Sequence, residues 1–179
     1  MIKGHGVRRS IGCGVFLVCG ALAAAAQTNQ PTRPVRPIEL AVRVGECDSR
    51  IGDVDVVVSA SAERGKSTIK IQFRLNHLES ACEIDPTNAL AVAQLVQSVA
   101  TELMKGNQSA GQHRNIEVDA FELAEKKFVE IVFHQGDSTA GEATCRLWFD
   151  SYNALNLSRL IISGKNTADW LEPRLVPLE

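Results

Sequence analysis

The sequence predicts an α+β domain in which antiparallel strands are followed by a helix, twice over, in the order ββββα then βββα. Two observations carry that reading. The first is a near-duplication: Ile84 to Val99 aligns without gaps to Phe149 to Gly164, with identities at Asp85/Asp150, Asn88/Asn153, Ala89/Ala154, Leu90/Leu155, Leu95/Leu160 and Ser98/Ser163. Ile84/Phe149, Val92/Leu157 and Val96/Ile161 are apolar on both sides. In each copy a strand end leads to an Asp that can cap the free N–H groups of a new helix. The second is period-two alternation in the segments before each Asp, the pattern of half-buried strands whose side chains point to opposite faces.

Residues 1–26 differ from the rest. Lys3, Arg8 and Arg9 form a basic head, Ile11 to Ala26 is apolar or small, and Ala24-Ala25-Ala26 before Gln27 is a pattern a signal peptidase cuts. These residues are expected to be an export signal, placing the protein in the periplasm or outside the cell; an uncleaved anchor is the alternative, although the run is short for a span. Arg8-Arg9 leaves both the general and the twin-arginine export routes open. Residues 27–37 hold three prolines and two arginines and read as an extended leader. A single domain follows over 38–179, with 38–106 as the first unit, 107–165 as the second and 166–179 as a tail.

Removal of residues 1–26 takes away three cations and no acid, leaving a formal charge of −5 on the remainder. That disfavours nucleic acid and anionic membranes, which reward a basic surface. Of five cysteines, Cys47, Cys82 and Cys145 remain, so one intrachain disulfide at most can form, with all three pairings open. The duplication sets Cys82 opposite Leu147, and Cys145 alternates with Leu147 and Phe149, so both are expected to face inward.

In the first unit Ile38, Leu40, Val42 and Val44 alternate with polar or small residues, then Val54, Val56, Val58 and Ala60, then Ile69, Ile71, Phe73 and Leu75. Glu63 to Lys66 makes a hairpin tip, and a short strand near Ala81 to Ile84 leads into the helix. That helix is expected from Pro86 to about Lys105, with Pro at the first helical position, an apolar face of Val92, Leu95, Val96, Val99, Leu103 and Met104, and Gly106 as its stop. Asn107 to Arg114 reads as a polar connection. Ile116, Val118 and Ala120 open the second unit, Val129, Ile131 and Phe133 return, and Cys145, Leu147 and Phe149 form its last strand. A second helix is expected from Ser151 to about Ser163, ended by Gly164, with Trp170 of the tail packed on the body. A single seven-stranded sheet wrapped around the long helix is the alternative architecture.

The paired units resemble the layout of the Whirly and PUR-type single-strand nucleic-acid binders. No motif of theirs is matched residue by residue, so the resemblance implies a shape and carries no site. The negative charge and the few aromatic residues stand against stacked bases.

Motifs with chemical overtones are better explained structurally. Ala60 to Ser67 fits a loose phosphate-binding loop, but a strand follows where that chemistry needs a helix N-terminus. Ser67-Thr68-Ile69-Lys70 and Ser151-Tyr152-Asn153 mimic signatures of penicillin-recognising serine enzymes, yet residues three apart on a strand face opposite ways. His77, His113 and His134 form no metal-ligand pair, and no cysteine spacing suits zinc, so no metal or cofactor is expected. Asp53, Asp55, Glu117 and Asp119 are strand acids, most of them explained by solvated outer faces, with weak cation binding as the minor reading.

The resulting expectation is an exported non-enzymatic protein that binds a partner or ligand, or itself, through its sheet. Val57, Phe121 and Val132 are apolar at positions turned away from the helices and are the candidate interface. Asp85 and Asp150 are assigned structural roles as helix caps. The rival is a small hydrolase or transferase using the His134-Asp137-Ser138 loop, and single-strand nucleic-acid binding is third.

Overall fold

The computed structural model describes residues 39–61, 65–75, 78–135 and 143–175. The expected signal and leader, His77, Glu63-Arg64, Asp137, Ser138 and the last four residues lie outside them. Strands β1 (Glu39–Ser49), β2 (Gly52–Ser61), β3 (Lys66–Leu75) and β4 (Leu78–Ile84) precede helix α1 (Pro86–Met104). Strands β5 (Ala110–His113), β6 (Ile116–Leu123), β7 (Lys126–Gln135) and β8 (Ala143–Phe149) precede helix α2 (Ser151–Leu171), and a short 3-10 turn follows at Glu172–Arg174. Each set of four strands is an antiparallel sheet in sequential order.

The duplication extends to register. Gly45, Val56, Ile71 and Cys82 stand in one row across the first sheet; Gly111, Val118, Ile131 and Leu147 stand in the matching row of the second. These rows face the shared core, where Val56, Ile71, Cys82, Val118, Ile131 and Leu147 are fully or almost fully buried.

The two halves exchange helices. α1 packs chiefly on β5, β6 and β7 of the second sheet, α2 chiefly on β1, β2 and β3 of the first, and the helices lie against each other. Two glycines make this close approach feasible. A Cβ on Gly111 would stand 2.5 Å from Leu95 Cδ1, and one on Gly45 would stand 2.6 Å from Leu160 Cδ2. Leu95 and Leu160 are equivalent in the duplication, so each helix seats the same leucine on a glycine in the first strand of the other unit. A bulge between Arg43 and Gly45 turns Gly45 toward that leucine.

Both helices start as the residues dictate. Asp85 Oδ1 accepts from the Thr87 N–H at 2.8 Å and from the Thr87 hydroxyl at 2.6 Å. Asp150 Oδ1 accepts from the Asn153 N–H at 2.8 Å. α1 ends at Lys105-Gly106: the Gly106 N–H donates to Leu103 O and the Asn107 N–H to Glu102 O, both at 3.0 Å, with Gly106 at φ +88. That pair of bonds is a Schellman motif, which requires the left-handed residue glycine supplies.

The hydrogen bonds from Thr87, its hydroxyl first, hold the Asp85 carboxyl below its ordinary value. A depressed carboxylate contributes stability that is present above its unfolded value and lost as pH falls through the folded one. Asp85→Ala and Asp150→Ala should each cost about 1 kcal/mol at pH 7. For Asp85→Ala, the difference from the parent should shrink on acidification; urea melts at pH 7 and pH 3 check it.

Three expectations are corrected. Asn107 to Arg114 is not merely a connection, because Ala110–His113 forms a strand paired to β6; the second unit has four strands like the first, in two sheets and not one of seven. α2 does not stop at Gly164 but runs to Leu171, beyond which Pro173 forbids regular helix. Gly164 is buried, with Ile69 Cγ2 3.2 Å from where its Cβ would be, so it serves helix-on-sheet packing and the last turns continue past it. Trp170 is consequently on the helix surface, 58% exposed, with the Arg174 guanidinium 4.1 Å from its ring centroid.

Candidate binding face

The inward rows of the second sheet meet the core, so alternate residues form its outer face. Register sets Phe121 beside Phe128, Asp119 beside Glu130 and Trp148, and Glu117 beside Val132 and Arg146. Phe121 centres a small aromatic cluster, 5.6 Å from the Phe128 centroid and 5.2 Å, nearly edge-on, from that of Trp148. Arg50, in the turn after β1, covers the Phe128 ring at 5.1 Å and donates its backbone N–H to Trp148 O at 2.8 Å. The first sheet thus buttresses one end of this face.

Around the aromatics lie three acids. Glu130 is engaged: its Oε1 accepts from the Trp148 indole N–H at 2.8 Å and from Arg146 at 3.2 Å. Glu117 Oε1 lies 3.2 Å from His134 Nε2, in an alignment too poor for a hydrogen bond. Asp119 has no hydrogen-bond or ion-pair partner among the described residues. Burial, then the charges of Glu117 and Glu130, raise its carboxyl above the ordinary value. Two acids directly opposite on neighbouring strands repel.

The candidate interface residues occupy outer-face positions. Val57, between Arg43 and Lys70 in the register of the first sheet, is 9% exposed; Val132, between Glu117 and Arg146, is 3% exposed. Both sit apart from the main core cluster, where aliphatic stems of long charged neighbours can cover them. Phe121 is half-buried. What this face leaves partly exposed is therefore Phe121, Trp148 and the acids; Val132 is buried among them, and Val57 lies apart on the first sheet. Composition alone misses Trp148 and Phe128; the signal that finds them is their parity on β7 and β8, opposite to Val129, Ile131, Leu147 and Phe149.

The serine and lysine motifs lie on a strand, as their spacing predicts. Lys66 and Ser67 begin a strand, not a helix. Ser67 is buried and donates its hydroxyl to Glu172 Oε1 at 2.6 Å, whereas Lys70 is on the outer face near Glu83, 3.5 Å away, so the two are not a serine–lysine pair. A shallow groove of about 300 Å³ runs past Ser59, Lys66, Lys70, Glu83 and Asp85, with all of these drawn from the first sheet and its cap. Asp53 is exposed and Asp55 binds Arg43, whose Nε donates to it at 2.7 Å. His113 faces α1, its Nε2 3.5 Å from Asn88 Oδ1. Of the His134-Asp137-Ser138 group only His134 is among the described residues, on β7 rather than in a loop. Among the described residues no three His, Cys, Asp or Glu side chains are grouped to hold a metal ion, and no helix is long and apolar enough to cross a membrane.

No protein-family model matches this chain, and no curated protein matches it in sequence.

Proposed function

We propose that this is an exported, non-enzymatic binding protein whose docking surface is the outer face of the second sheet, and that its partner presents a basic side chain beside an apolar one. The observation that supports this reading is Asp119. A half-buried carboxylate set against two other acids reduces the stability of the free protein, and a cation arriving from a partner relieves it. The neighbouring Phe121 and Trp148 offer ring surface that attracts both apolar groups and a guanidinium or ammonium. Export rests on the composition of residues 1–26.

For an acid with a raised folded value the sign is the reverse of that at Asp85. The folded state binds the proton more readily, so the penalty is full at neutral pH and is relieved as pH falls through the folded value. Asp119→Asn should therefore stabilise the free protein by about 0.2–1 kcal/mol at pH 7 and by less near pH 4. The same change should weaken binding. In a Trp170→Phe background, where Trp148 is the sole tryptophan, its fluorescence can be titrated with a lysine- and arginine-rich peptide containing leucine and, as control, its glutamate-rich counterpart. A saturable, salt-sensitive response to the basic peptide, weakened about tenfold by Asp119→Asn, is the expected result, the equivalent of about 1.4 kcal/mol. No response, or an equal response to both peptides, would sink the proposal.

A further inference from the structure

A cation arriving at the outer face of the second sheet meets two kinds of group at once. Asp119 and Phe121 are two residues apart on β6, so their side chains leave the sheet on the same side, about 7 Å apart along the strand. Both are half-buried. Register sets Asp119 in one row with Glu130 and Trp148, and the Trp148 and Phe121 ring centroids are 5.2 Å apart. Glu130 is occupied by the Trp148 indole N–H and by Arg146. Asp119 has no hydrogen-bond or ion-pair partner among the described residues, so its two oxygens stand ready side by side.

A guanidinium answers both groups. It is planar, its N–H donors form a fork that two carboxylate oxygens accept together, it stacks on aromatic rings, and it holds water weakly. An ammonium is a compact, strongly hydrated charge that must shed water to enter a half-buried site, and it has no plane to lay on a ring. The chain's own side chains at this face follow the same chemistry. The Arg50 guanidinium carbon is 5.1 Å from the Phe128 centroid, and Arg146 Nη1 donates to Glu130 Oε1 at 3.2 Å. One arginine is therefore set on a ring and another on a carboxylate. Asp119 and Phe121 offer a carboxylate and a ring together, and among the described residues no arginine engages either.

Resting on the reading that this face docks a basic partner, we infer that the cation it receives is an arginine, its guanidinium edge forked onto Asp119 and its plane against the Phe121 ring. Glu117, Asp119 and Glu130 attract an arginine and a lysine alike, because charge acts on both in the same way. The ring makes the difference between them. Arginine preference should therefore be lost with the ring even where the acids remain.

The test uses the full-length chain carrying Trp170→Phe, with Trp148 fluorescence as the readout. Three blocked peptides alternate leucine with arginine, with lysine, or with citrulline, the neutral isostere of arginine. The arginine peptide should saturate with a Kd about tenfold below that of the lysine peptide, and the citrulline peptide should give no saturable response. Phe121→Leu, which keeps an apolar side chain and removes the ring, should bring the arginine and lysine values to within about twofold of each other. Equal or tighter binding of the lysine peptide would overturn the inference and leave the reading of a basic partner standing. An undiminished arginine preference in Phe121→Leu would overturn it as well, since the ring would then not be the discriminator. Silence from all three peptides, or citrulline binding as tightly as arginine, would overturn the inference and the reading together.

Discussion

Residues 38–106 and 107–175, produced as separate chains, are each expected to lack a folded monomeric state, and to regain the native spectrum when mixed in equal amounts. The reason is the exchange of helices. α1 is covalently part of the first unit, yet its apolar face is buried mainly on β5, β6 and β7; α2 belongs to the second and is buried on β1, β2 and β3. A lone half would carry a helix whose stripe of Val92, Val96 and Val99 has lost the sheet it covers, beside a sheet whose inward row has lost its helix. A helix of this length is marginal in water without tertiary packing. Because the units are near-copies, a single half has one escape, a homodimer in which each α1 covers the other copy's sheet. Far-UV circular dichroism and light scattering on each half and on the mixture separate these outcomes. A dispersed NMR spectrum from a monomeric half, with its own cooperative transition, would show that the exchange does not govern folding.

Ile161→Ala should cost about 2–5 kcal/mol. Ile161 is fully buried on α2, at the place where α1 carries Val96, and belongs to the single core cluster that both sheets and both helices share. Removing three carbons there leaves a cavity bounded by parts of both units, and neither can close it alone. The loss should therefore appear as one urea transition moved to lower midpoint with unchanged slope, and not as early melting of half the molecule. A cost under 1 kcal/mol, or two transitions of which one is unmoved, would contradict a shared core.

Elements whose signal is local were legible in the residues. The aspartates at the foot of each helix, the Lys105-Gly106 stop and the inward rows through Val56, Ile71 and Ile131 follow from backbone capping and side-chain period. Elements whose signal depends on a distant neighbour were not. β5 carries no apolar alternation, because its inward positions are Gly111 and His113, and Gly111 is small on account of Leu95 in a helix sixteen residues earlier. Gly164 looks like a helix stop until Ile69 is seen against it. Arg43 to Gly45 reads as plain alternation, and only Leu160 explains the bulge.

The candidate face divides in the same way. Phe121 and Val132 were legible as apolar residues on the wrong parity of a strand. Their burial, the aromatic ring around Phe121 and the Arg50 cover were not, since they depend on which strand lies beside which and on a turn from the other unit.

By itself, then, the sequence determined an α+β chain of two related strand-and-helix units, each opened by a capping aspartate, since capping and periodicity act over a few residues and are written in them. The tertiary structure decided which helix covers which sheet, where glycine gives way to leucine and which acid is left facing its own kind. Those outcomes are settled by packing between segments far apart in the chain, where near-identical helices offer no local clue to their partners.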